Sequence, residues 1–147
     1  MYSGQGETKI YDKKLKKDLK QIRTYKDGMA EGIWITYFDN GRIFKKVQYS
    51  KNTLNGNSFE YDKSGKLVVE YNFTSGKLRY KGVPHENKKK LITLYREDGK
   101  VYSIGEYDEN YKEGGEIAYY NQSGEIIKRE KYKKGVLFRE YKFKLRI

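Results

Sequence analysis

The sequence predicts an all-β fold: a single-layer antiparallel meander of stacked β-hairpin repeats, wound as a solenoid sheet. Three observations predict it. An aromatic residue is followed four positions later by glycine and, eight further on, by another aromatic. This happens at Tyr37–Gly41–Tyr49, Tyr61–Gly65–Phe73, Tyr95–Gly99–Tyr107 and Tyr120–Gly124–Tyr132. The residues before each glycine form turn sequences, and the flanks are β-branched and aromatic, as strands require. The composition of the 147 residues, 36% hydrophobic and 35% charged, leaves too little apolar mass for a thick two-layer core, yet sixteen Tyr, six Phe and one Trp are too aromatic for a disordered chain. A thin sheet covered by amphipathic tyrosines satisfies both. The glycines are 24, 34 and 25 residues apart, the period of one supersecondary unit copied along a chain. Repeat chains present extended surfaces, which puts binding ahead of catalysis.

Within the unit, the second residue after the glycine is always aliphatic (Ile43, Leu67, Val101, Ile126), and the third is always apolar (Phe44, Val68, Tyr102, Ile127). The turns read Asp-Asn-Gly, Lys-Ser-Gly, Glu-Asp-Gly and Gln-Ser-Gly, where glycine supplies the positive φ of a tight hairpin. Period-two alternation sets Leu67, Val69, Tyr71 and Phe73 on one face, with Val68, Glu70 and Asn72 on the other. A second turn, at Tyr25–Gly28, Phe73–Gly76 and Tyr132–Gly135, links successive hairpins.

Along the chain, residues 1–18 read as a basic, partly disordered segment, with 1–8 disordered, and 19–147 as the repeat domain. Tyr11, Leu15, Leu19 and Ile22 fall at helical spacing among lysines, which would make a basic amphipathic helix. The competing reading makes 19–25 a strand, because Leu19 and Tyr25 match the aliphatic and aromatic repeat positions. The strand is the expectation. The long interval between Gly65 and Gly99 implies an inserted loop near 81–90, KGVPHENKKK, which holds the sole proline and the sole histidine. The terminal YKFKLRI alternates Tyr141, Phe143, Leu145 and Ile147 with Lys142, Lys144 and Arg146.

The net charge of +12 is concentrated at the ends. Residues 1–26 carry eight Lys/Arg against three Asp/Glu, and residues 128–147 nine against two; the stretch between is balanced. A phosphate-tracking surface would be basic along its length, so nucleic acid is the less favoured partner. Lysine-rich ends can protect edge strands from pairing with other chains, in keeping with a monomer. Alternatively they form an anionic-surface patch of Lys13, Lys14, Lys16, Lys17 and Lys20 with the cluster Lys128–Arg146. MYSGQGETKI contains no apolar core of a signal peptide, and no apolar run approaches the roughly 18 residues of a membrane helix.

Little catalytic chemistry is legible. There is no cysteine, and a Ser-His-acid site would depend on His85, between Pro84 and Glu86. Gly4-Gln-Gly6 lacks the rest of a phosphate loop. Asp108–Lys112 has a lysine where a calcium ligand belongs and no central glycine. No metal, cofactor or catalytic residue is expected.

The pattern Tyr-x-x-x-Gly-[Lys/Arg]-aliphatic, preceded by Gly-x-Trp-x-x-Tyr as in Gly32-Ile-Trp34-Ile-Thr-Tyr37, resembles MORN repeats, most nearly the bacterial variant of YwqK-like antitoxin proteins. The likeness spans about residues 19–143. It departs at the tryptophan, which becomes Ser58, Ile92 and Ile117 in later copies, and at Lys90, which replaces a glycine. The resemblance implies a non-enzymatic scaffold for protein partners, with toxin neutralisation or membrane association as family roles. On that reading, Trp34, Tyr37, Tyr61, Tyr95 and Tyr120 would form one binding strip, unless the aromatic columns serve only to stabilise the sheet.

Overall fold

A computed structural model describes residues 1–143, and every regular element among them is a β-strand. The chain divides into two units, Met1–Lys77 and Leu78–Ile147. The first contains β1 (Gly4–Asp12), β2 (Lys17–Lys26), β3 (Met29–Ala30), β4 (Gly32–Tyr37), β5 (Ile43–Ser50), β6 (Thr53–Leu54), β7 (Gly56–Tyr61) and β8 (Leu67–Thr74). The second contains β9 (Lys77–His85) apart from its first residue, β10 (Lys89–Tyr95), β11 (Val101–Tyr107), β12 (Glu113–Tyr120), β13 (Ile126–Lys133) and β14 (Val136–Lys142). In the first unit the hydrogen-bonded order is β1-β2-β4-β5-β7-β8, with β3 beside β2 and β6 beside β5. In the second it is β9-β10-β11-β12-β13-β14. Each unit is an antiparallel meander, as the repeat predicted.

Two kinds of turn build it. At the repeat glycines the loop has three residues. The Gly41 N–H donates to Phe38 O (3.0 Å), and the Phe38 N–H donates to Arg42 O (2.8 Å). The same pair of bonds closes the turns at Gly65, Gly99 and Gly124. Glycine is required here because the last loop residue takes φ of +82° to +90°, a region in which a side chain costs about 1–2 kcal/mol. Each of these turns is flanked by a β-bulge, where in the first the register shifts between Thr36↔Lys45 and Tyr37↔Ile43. A fifth turn of this type joins β11 to β12 with Tyr111, at φ 61°, in the glycine's place. The links between repeats are two-residue turns with both central residues at positive φ, such as Asp27–Gly28 and Ser75–Gly76, whose twist matches that of the flanking strands.

Burial concentrates on one face. In the first unit Leu19, Phe38 and Phe44 form the core, with Ile10 and Leu15 packed against it. The Phe38 and Phe44 rings stack at 4.5 Å. In the second unit Ile92 and Ile117 are buried, and both stand opposite Gly105. A Cβ on Gly105 would lie 2.6 Å from Ile117 Cγ1, so glycine there makes room for the isoleucine.

Two expectations are corrected, and one is met. Residues 1–8 are not a disordered lead-in: β1 begins at Gly4 and pairs with β2 from Gly4↔Tyr25 to Asp12↔Lys17. The strand expected over 19–25 is met within β2, and the competing helical reading of 9–24 falls with it, since Ile10 faces Leu19 across a ladder and Asp12–Lys17 close a turn. The inserted loop at 81–90 is a hairpin arm. Val83 pairs with Leu91 and His85 with Lys89, around a tight turn in which Asn87 and Lys88 both take positive φ. Of the terminal segment, Tyr141 and Lys142 end β14 and Phe143 follows it, whereas Lys144–Ile147 lie outside the described residues. β14 exposes Val136, Leu137, Phe138 and Tyr141, so this strand is less guarded by lysine than its composition implied.

Two glycine substitutions separate the two roles of glycine. Gly99→Ala meets no neighbour within 4 Å, so its destabilisation, about 1–2 kcal/mol by urea titration, is conformational. Gly105→Ala is overpacked against Ile117 and costs about 1–3 kcal/mol. Replacing Ile117 by valine should relieve part of the second loss and none of the first.

Candidate binding surface

The first unit carries a continuous aromatic row on its buried face. The register β2–β4 sets Gln21 opposite Thr36 and Ile22 opposite Ile35, so Leu19, Gln21, Arg23 and Tyr25 share a face with Trp34 and Thr36. Tyr2, Tyr25, Trp34 and Tyr49 follow one another with ring centroids 5.6, 5.6 and 4.6 Å apart. The Arg23 guanidinium lies 4.7 Å over the Trp34 ring. The Trp34 indole N–H donates to Thr24 O at 2.9 Å. Each ring pair contributes about 0.5–1.5 kcal/mol beyond area burial, so the row holds the unit together while leaving its rings half-exposed.

Beside this row lies an open cleft of about 300 Å³. Val47 and Leu54 form one wall, Tyr71 and Phe73 the other, and Lys45 and Ser58 also line it. Ser58 is only 6% exposed, and its hydroxyl has no hydrogen-bond partner. Lys45 stands opposite Glu60 across the β5–β7 ladder.

In the second unit the face that holds Ile117 buries a carboxylate. Glu130, 6% exposed, accepts from the Tyr132 hydroxyl (3.2 Å) and from the Tyr119 hydroxyl, and Lys128 Nζ lies 3.5 Å from its other oxygen. The Lys128 ammonium also sits 4.2 Å over the Tyr119 ring. Burial pushes Glu130 up, but the Tyr119 hydrogen bond, the Lys128 charge and the Tyr132 hydrogen bond outweigh it and hold the carboxyl below its ordinary range. Tyr119 is displaced far upward, first by burial and then by its bond to Glu130. Tyr132 rises for the same two reasons. Tyr107 is raised by burial and by the nearby charge of Glu113. The cluster is a neutral-tyrosine cage around an ionised carboxylate, an arrangement that fixes side chains.

The predicted strip is not one strip. Trp34 lies on the buried face. Tyr37, an odd number of residues away on the same strand, lies on the other, where the Lys20 ammonium covers its ring at 4.7 Å. Tyr61 accompanies Phe59 on that second face (6.4 Å). In the second unit Tyr95 pairs with Val101. Tyr120 lines a separate cleft of about 510 Å³ with Val101 and Ile104, and its carbonyl accepts from Arg96 (2.7 Å). The lysines also divide. Lys13, Lys14 and Lys16 are exposed at the β1–β2 turn, but Lys17 pairs with Asp39 (2.5 Å) and Lys20 is committed to Tyr37. Sequence reasoning missed Ser58 and the Glu130 cage. The signal for the cage was present: Lys128, Glu130 and Tyr132 are spaced two apart and must share a face.

Glu130 sets a pH window. Its depressed folded value contributes stability above the ordinary carboxylate range, about pH 4.3, and that contribution is lost as pH falls through the folded value. Tyr119, raised when folded, contributes below about pH 10 and loses that contribution as pH rises beyond it. Glu130→Gln should cost about 1–3 kcal/mol at neutral pH and flatten the acid limb of a stability-against-pH curve.

No protein-family model matches the sequence, and no curated protein matches it. Among solved structures, "Crystal structure of GtfA/B complex bound to UDP and GlcNAc" is similar at a TM-score of 0.46 and 14% identity, over 76% of this chain and 22% of that one. A likeness at that level assigns neither family nor function.

Proposed function

We propose that this chain is a non-enzymatic scaffold that binds another protein through the aromatic face of its first unit. One observation carries the reading: the half-exposed row Tyr2–Tyr25–Trp34–Tyr49 runs beside an open apolar cleft. Aromatic residues dominate binding energy at interfaces because they bury large area at low entropic cost. The resemblance to MORN repeats supports the same reading, and its bacterial variant supplies a sharper form, an immunity-type protein whose partner is a toxin domain.

A second reading has its own observation. Lys13, Lys14 and Lys16 project together from one turn, as a contact for lipid headgroups or another polyanion would. Salt separates the two, because the Debye length falls from about 10 Å at 0.1 M to about 3 Å at 1 M.

The test is capture from lysate with washes at about 0.1 M and then about 1 M salt, alongside Leu54→Glu, which places a charge in the cleft wall. The scaffold reading expects a stoichiometric protein that survives the second wash and is lost from Leu54→Glu. Captured lipid or nucleic acid that salt strips away, and that Lys13→Glu/Lys14→Glu/Lys16→Glu abolishes, would instead establish the second reading.

A further inference from the structure

The first two repeats share one junction, built twice. Before β4, the Glu31 N–H donates to Thr24 O at 3.1 Å; before β7, the Asn55 N–H donates to Gln48 O at the same distance. Gly32 and Gly56 both take positive φ there, at 86° and 101°. Each lies against the side chain of the equivalent residue, Thr24 or Gln48. Two residues after each glycine the copies part. The first has Trp34, whose indole donates its N–H to the same Thr24 carbonyl. The second has Ser58.

Without an indole, Gln48 O has no counterpart of the Trp34 bond, and the Ser58 hydroxyl is buried without a partner. Tyr71, opposite Ser58 where the first repeat has Val47 opposite Trp34, returns some of the missing bulk from the facing strand. It does not close the space, because the cleft remains. The walls that remain are those an aromatic ring packs against: Val47, Leu54, Tyr71 and Phe73. The volume, about 300 Å³, is at the lower limit of small-ligand pockets and suits one side chain better than a large ligand. A buried hydroxyl left unpaired is costly, so a group that brings a donor to it gains affinity as well as area.

We infer that the cleft at Ser58 is a seat for a tryptophan side chain presented by a partner polypeptide, an open copy of the seat that Trp34 fills in the preceding repeat. The inference rests on the scaffold reading and names the chemistry of its partner. The indole lies between the Val47–Leu54 and Tyr71–Phe73 walls, with its N–H directed to Ser58 Oγ. Trp34 itself is committed to its own row, so the donor comes from another chain.

The probe is N-acetyl-tryptophanamide, titrated into the full chain and followed by amide NMR, with free indole and N-acetyl-leucinamide beside it. The expected result is saturable shifts at Val47, Leu54 and Ser58 with a Kd on the order of a millimolar, and at least several-fold weaker binding of the leucine compound. Ser58→Trp, which fills its own seat, should abolish the shifts. Ser58→Ala keeps the cleft and should weaken binding several-fold while raising the Tm, because it removes the unpartnered hydroxyl. Absence of shifts at about ten times that concentration, equal binding of the leucine compound, or shifts unchanged in Ser58→Ala would overturn the proposal. Free indole binding tightly while the amide does not would also overturn it, in favour of a small-molecule site. If a partner is captured in the lysate test but the probe leaves Ser58 untouched, the seat is wrong and the scaffold stands. If the probe binds and no partner is captured, the scaffold reading is the one that fails.

Discussion

A sheet one strand thick has no second layer against which to bury its side chains. Everything else in this molecule follows from that constraint. Its apolar residues must cover one another along the sheet, and only side chains broad enough to reach the next strand can do so. Tyrosine and tryptophan serve because their rings are large and their polar ends tolerate water. Trp34 shows the principle: ring contacts on both sides, a guanidinium above, and an indole N–H tied to the backbone of the neighbouring strand. Fully buried aliphatics are confined to a few positions, such as Leu19 and Ile117.

The fold was legible because its instructions are local. Turn glycines with positive φ, aliphatic positions at fixed offsets and period-two alternation act within some ten residues, and all of them repeat. The ambiguity and the errors came where a residue's role depended on its partner strand. Leu19 and Ile22 fit a helix until Ile10 and Glu7 are placed opposite them. The 81–90 stretch, with its proline and charges, read as a loop because no single residue announces that Asn87 and Lys88 turn a hairpin.

The surface was less legible, for a geometric reason. Residues that occupy equivalent repeat positions stack in columns, but columns an odd number of residues apart face opposite ways. Trp34 and Tyr37 therefore could not share a strip, although both belong to the repeat signature. What distinguishes one repeat from the next is chemical and not periodic: Ser58 where tryptophan stood before, Gly105 where a larger residue would strike Ile117, Glu130 enclosed by tyrosine hydroxyls. Such substitutions look like noise against the pattern, yet they produce the cleft and the cage.

The pairing of the described strands with near neighbours in the chain has a kinetic consequence. All-β proteins fold slowly when strands distant in sequence must find each other before their contacts reward the closed loop. Within each unit of this chain, a hairpin can zip from its own turn and then template the next, so the search remains short at every step. The same locality means that the outermost hairpins can open without dismantling the middle ones. A repeat sheet of this kind exchanges all-or-none cooperativity for rapid assembly and independently fraying ends.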